Sequence, residues 1–253
     1  MSAPSTASEV VRSRWQVWAY RLALFAVIVV LAAIVVLAVV VNLRREVCGV
    51  VDREVRHLGF AMVEFNEKFN SLPPNGDSEE RLRRFVRKAF PQARGVSARA
   101  VPEQLDAAEA LVFWLSGVST DPRDPFAKDA GERYVFFEFP SDRVRDGRFY
   151  PKADGETDPY VYFDWEDYDG SEYRGFRPYY WPQDDRRGNR EYSGPETCQI
   201  VGPGKDGKLG RGGSMAELSA EDLDNEVSFD ARLVGEIAAD RNATRTNESP
   251  PRR

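Results

Sequence analysis

The chain has 253 residues, of which 42% are hydrophobic and 30% charged, with a formal net charge of -6. That balance excludes a nucleic-acid surface, which needs clustered Lys and Arg free of interleaved acids. A single histidine, His57, excludes sites built on two or more histidines, and the only two cysteines, Cys48 and Cys198, are too far apart in sequence for a close metal-ligand pair.

Residues 1–21 form a polar tail that ends in Trp15, Trp18, Tyr20 and Arg21. Aromatic rings and a basic residue in that order mark the boundary between headgroups and hydrocarbon. Residues 22–41 then contain no Asp, Glu, Lys, Arg, Gly or Pro. A run of that length is enough to cross a bilayer as a helix and is longer than the centre of a cleavable leader, so a single transmembrane helix is expected over 22–43. Basic residues flank it on both sides, so charge alone leaves the orientation open. Val51, Val55, Leu58, Met62, Phe65 and Phe69 recur at steps of four and three, one face of a helix. The spacing predicts one unbroken rod from the span to about residue 70, where Pro73 and Pro74 forbid continuation.

A short helix is expected over 78–90, capped by Ser78 and closed by Pro91, and another over 102–116, begun by Pro102 and ended by Gly117. From residue 121 to 241, glycines and prolines punctuate aromatic and β-branched runs that read as strands. The clearest are 134–139, 160–165 and 197–201, with 148–150 and 178–181 weaker. Helices first and hairpin-linked strands later indicate an α+β domain over 44–241, with the long helix packed on an antiparallel sheet. Residues 242–253 are polar, carry Pro250 and Pro251, and are expected to be disordered.

Several segments in this order resemble one family. They are the helix end at 65–74 (FNEKFNSLPP), 109–117 (EALVFWLSG), 124–126 (DPF), 198–210 (CQIVGPGKDGKLG) and 221–225 (EDLDN). Together the chain resembles the pseudopilins of type II secretion and the type IV pilin-like proteins, in a planctomycete-type form. The resemblance implies a pilin-like head outside the inner membrane, a cytoplasmic N-terminus, and partners among membrane lipid, secretion-system proteins or further copies of the chain. One departure matters: no glycine precedes Gly49 and no acid lies between Glu9 and Glu46. The family's processing site and its intramembrane glutamate are therefore missing, and a permanently anchored relative is expected. A carboxylate in lipid is costly unless paired, so its loss suits a subunit that is never packed in a fibre.

Residues 202–208 match the G-x-x-x-x-G-K part of a phosphate loop, but Leu209 replaces the magnesium-binding hydroxyl and glycines follow where a helix should open, so no nucleotide is expected. The resemblance instead places calcium at this loop, with Asp206, Asp222 and Asp224 as candidate ligands; hard oxygen donors on a glycine-permitted turn suit that ion. Asp164, Glu166, Asp167, Asp169 and Glu172 form an acidic cluster without the glutamate of an EF-hand, which reads as a solvated hairpin tip. No catalytic residue is expected. The alternative to a structural role is a membrane-tethered binding module that uses the acidic and aromatic loops of residues 160–181.

Overall fold

The computed structural model describes residues 25, 28–36, 50–75, 78–93, 105–127, 132–152, 157–182, 190–194 and 196–248. The chain divides into two units, Met1–Val47 and Cys48–Arg253. In the first, residues 28–36 are helical and every one is exposed, with Ile28, Leu31, Ile34 and Val35 more than half accessible.

The expected membrane-crossing helix is corrected by the structure: among the described residues, no helix is long and apolar enough to cross a membrane. The described helical stretch at 28–36 rises only about 14 Å, against a hydrocarbon core of about 30 Å. The rest of the expected span, and the 37–49 join that would make it one rod with the following helix, lie outside the described residues.

In the second unit, α1 covers residues 50–69 and buries Val51, Val55, Leu58, Met62 and Phe65, the stripe expected from the sequence, with Phe69 half-buried. Burying each such side chain contributes about 2 kcal/mol. The helix ends at Asn70, whose φ of 49° is the left-handed turn that terminates helices. The prolines that follow are pinned from outside: Trp114 Nε1 donates to the Pro74 carbonyl (2.9 Å) and the Tyr162 hydroxyl to the Pro73 carbonyl (2.6 Å). Helix α2, Glu79–Ala89, is capped by the Ser78 hydroxyl on the Arg81 N–H. Helix α3, Ala107–Leu115, starts later than expected because Asp106, not Pro102, caps it, in a reciprocal box with Glu109. Residues 94–104 lie outside the described residues.

The single antiparallel sheet is also corrected. Among the described residues the strands form four small sheets, and one contains a parallel pair. Two are two-stranded: β1 (Val118–Ser119) with β2 (Arg133–Tyr134), and β3 (Val144–Arg145) with β4 (Arg148–Phe149). The central sheet has β8 (Cys198–Gly202) between β5 (Val161–Asp164) and β10 (Glu226–Val227), all antiparallel. The last has β6 (Arg177–Pro182) between β7 (Arg190–Tyr192), antiparallel, and β9 (Gly212–Ser214), parallel. Short strands cut by Gly and Pro turns cannot extend one continuous ladder, so they pair locally.

Alternation along β5 and β8 builds two cores. Tyr162 and Ile200 face the α1, α2 and α3 side with Tyr160, while Val161, Phe163 and Val201 face Phe176, Tyr179, Trp181, Met215 and the first turns of α4 (Val234–Glu248). The central sheet is thus covered on both faces. Gly202 allows α1 to approach β8: a Cβ there would lie 2.7 to 2.9 Å from Val51, Tyr160 and Val55 side-chain atoms. Residues 242–248, read from composition as disordered, continue α4, which the buried Val234, Ile237 and Ala238 hold against the second core.

Candidate functional site

The three candidate calcium ligands fall on two loops that meet, one leaving β8 (203–211) and one entering β10 (219–225). Asp222 is fully buried and its carboxylate is saturated by protein donors. Oδ1 accepts from the Gly212 N–H (2.8 Å) and the Tyr179 hydroxyl (3.1 Å). Oδ2 accepts from the Ser219 N–H (2.8 Å) and the Ser219 hydroxyl (2.7 Å). Asn225 completes the centre: its amide donates to the Leu209 carbonyl (2.7 Å) and the Tyr179 hydroxyl oxygen (2.8 Å), and its carbonyl accepts from the Gly204 N–H (3.1 Å). Burial first, and then the Asp222 charge, push the Tyr179 phenol well above its ordinary value, so it stays a donor.

Asp206 and Asp224 lie together on the outer side of this centre. Asp224 Oδ2 accepts from the Lys205 N–H (2.7 Å) and lies 3.4 Å from the Asp206 nitrogen, while Asp206 Oδ1 accepts from the Lys208 N–H (2.8 Å). Partial burial raises the Asp206 pKa, and the neighbouring Asp224 and Glu221 charges add to it. The structure therefore brings two of the three carboxylates together and turns the third inward. Asp222 does not fit a calcium ligand, because each of its lone pairs already meets an N–H or O–H. Among the described residues, no group of three or more His, Cys, Asp or Glu is arranged to hold a metal ion. Asp158 Oδ2 accepts the Leu209 N–H (3.0 Å) at the far end of the loop, while Asp224 Oδ1 is buried without a hydrogen-bond partner.

Residues 212–214, which follow the phosphate-loop-like segment, form strand β9, so no helix N-terminus is aimed at that loop. Cys198 is a half-buried free thiol whose pKa is pushed up to about 12 by burial first and by the Asp164 charge. Cys48 lies outside the described residues.

The acidic cluster is solvated only in part: Glu166, Asp169 and Glu172 are exposed and Asp167 is half-buried. Asp164, at the end of β5, is buried, and burial raises its carboxyl to about 6 even though Arg81 beside it acts the other way. Arg81 on α2 pairs with Asp164 through Nη2 and lies 3.0 Å from Asp167 Oδ2 through Nη1, an ion-pair distance without hydrogen-bond geometry. Its Nη2 is also 3.5 Å from Glu166 Oε2. Asp169 accepts from Arg190 (3.2 Å) and the Tyr192 hydroxyl (2.7 Å). The Arg81 guanidinium thus bridges Asp164 and Asp167.

The aromatic residues of 160–181 are core rather than display. Tyr160, Tyr162, Phe163 and Tyr179 are fully buried and Trp181 is 3% exposed, while Trp165 is 41% exposed. Arginines of the same chain cover other rings: Arg241 sits 4.6 Å from the Trp181 centroid and Arg190 4.9 Å from that of Tyr180. A cavity of about 120 Å³ lies beside this region between the start of α2 and the end of β5, lined by Ser71, Arg81, Arg84, Lys88, Asp164 and Glu166 among others. Its lining sets three cations, Arg81, Arg84 and Lys88, against two acids, Asp164 and Glu166. Comparison with protein families, with curated proteins and with solved structures finds no match to this chain.

Proposed function

We propose that the chain is a non-catalytic, pseudopilin-like structural protein of a secretion-type envelope system, held at the inner membrane by its apolar N-terminal segment with the 48–253 unit on the extracytoplasmic side. The observation that carries this reading is the helical stretch 28–36, which is apolar on every side and exposed on every side. A helix of that kind is at home only where its surroundings are apolar, in lipid or among like segments. The family-like segments at 65–74, 109–117 and 198–210 support the secretion-type assignment, and in the folded unit they build the end of α1, helix α3 and the β8 loop.

The burial of the 160–181 rings favours this structural role over a ligand-binding one, since Trp165 is the large apolar side chain that region leaves exposed among the described residues. Because β5 and β6 are core, deleting the region would unfold the unit, and a point variant is the sound probe. Chemical crosslinking in native membranes followed by mass spectrometry tests the role. Secretion-type envelope components should be captured equally by the wild-type chain and by Trp165→Ala. Capture of no envelope component, or loss of all partners in Trp165→Ala with the fold intact, overturns it.

A further inference from the structure

Helix α1 has two faces, and the second has a pattern of its own. Opposite the buried stripe, Arg53, Arg56, Phe60, Val63 and Glu67 follow one another at steps of three and four, all exposed. That is the spacing of a seam that meets another helix. At its centre Phe60 is 70% and Val63 55% exposed, more than any other large apolar side chain of the Cys48–Arg253 unit among the described residues. The N-terminal end of the seam carries Arg53 and Arg56, and the C-terminal end carries Glu67 with Lys68 beside it. Arg56 pairs with Asp52 one turn away, a surface pair of small net worth, and also lies in the field of Glu226, while Glu67 has no ion-pair partner among the described residues.

We propose that this face is a self-association surface on which α1 of a second copy packs antiparallel. A two-fold axis through the middle of the seam, between Phe60 and Val63, sets Phe60 on Val63 of the other copy and Arg56 on its Glu67. A two-fold contact repeats each pair, so one apolar centre is flanked by two identical ion pairs. Parallel packing would instead stack Arg56 on Arg56 and Glu67 on Glu67, which like charges oppose. The overlap of α1 is about 30 Å, enough for a weak, reversible pair. The pairing stands apart from the membrane reading, since it uses only the folded unit.

Sedimentation equilibrium of the full chain in density-matched detergent tests the proposal, with thermal melting as a control for folding. A monomer–dimer equilibrium is expected. Phe60→Asp, at a position too exposed to disturb the core, should raise the dissociation constant at least about ten-fold. Arg56→Glu and Glu67→Arg should each weaken the dimer by about ten-fold, and the double reversal should restore it to within about three-fold, because an antiparallel pair exchanges these charges across the axis. A chain that is monomeric at every concentration overturns the proposal. So does a dimer indifferent to Phe60→Asp, which would place association in the N-terminal segment. Failure of the double reversal to restore pairing overturns the antiparallel register.

Discussion

Replacing Asp222 with Ala removes the acceptor for four donors at once, the Gly212 and Ser219 N–H groups and the Ser219 and Tyr179 hydroxyls. Ser219 is half-exposed, so its two donors turn to water at little cost. The Tyr179 hydroxyl is fully buried and already uses its oxygen to accept from Asn225, so its proton has nowhere else to go. The Gly212 N–H loses its only described acceptor. Two stranded donors at about 1.5 kcal/mol each give a loss of about 3 kcal/mol. Asp222→Asn keeps an acceptor at Oδ1 but sets an amide against the Ser219 donors, and should cost about half as much. For a folded unit of this size the alanine loss lowers the melting temperature by about 9 °C. Urea unfolding of the detergent-solubilised chain, followed by tryptophan fluorescence, reads both values with the denaturant slope unchanged. If the alanine variant stays within about 0.5 kcal/mol of wild type, or the asparagine variant is the worse of the two, Asp222 does not hold these four donors as described.

Calcium should leave the wild-type melting temperature unchanged, because Asp222 is already saturated; a rise that disappears in Asp206→Ala would contradict the geometry. Gly202→Ala should destabilise by about 1–3 kcal/mol, since its Cβ would collide with Val51, Val55 and Tyr160, and an unchanged melt would mean α1 and β8 separate easily. The pH dependence should carry the mark of Glu226, whose pKa is raised to about 7 by burial and then by Asp52, against the pull of Arg56 and Lys205 and with Glu236 on α4 adding to it. A carboxyl that holds its proton more tightly when folded stabilises fully below its unfolded value, near 4.5, and that contribution is lost as pH rises through about 7. Glu226→Gln should therefore be more stable than wild type by about 2 kcal/mol at pH 8 and nearly equal to it at pH 4.5; a constant difference across the range counts against the assignment. Arg81→Met strands the buried Asp164 carboxylate and should cost about 3 kcal/mol, most of it recovered in Arg81→Met/Asp164→Asn.

The parts of the fold that the sequence made legible are those where one short-range signal dominates. The α1 stripe repeats at the helical period, and Ser78 and Asn70 to Pro74 mark ends by local chemistry. The same kind of signal was present and missed at α3, where Asp106 and Glu109 form a capping box four residues after the proline taken as its start. Aromatic alternation over 134–139 read as a strand, but after β2 the backbone leaves the ladder and the Phe136 and Phe137 N–H groups bond to the Leu115 carbonyl instead. The parallel pairing of β9 was hidden inside a glycine-rich stretch that reads as a turn, and α4 was hidden by polar residues whose helix is held by an apolar first turn. Asp222 shows why sites were harder still. Its role depends on Tyr179, 43 residues away, and no local pattern announces a carboxylate that serves the interior. Arg81 is similar, since its partners lie 83 and 85 residues on.

Flotation with phospholipid vesicles tests the central claim most directly. The full chain should rise with the vesicles and resist carbonate extraction, while the 48–253 unit released from it by proteolysis stays in the dense fraction. A full chain that remains in the dense fraction, or a released unit that floats as well as the whole, would contradict the assignment of the apolar N-terminal segment as the membrane attachment.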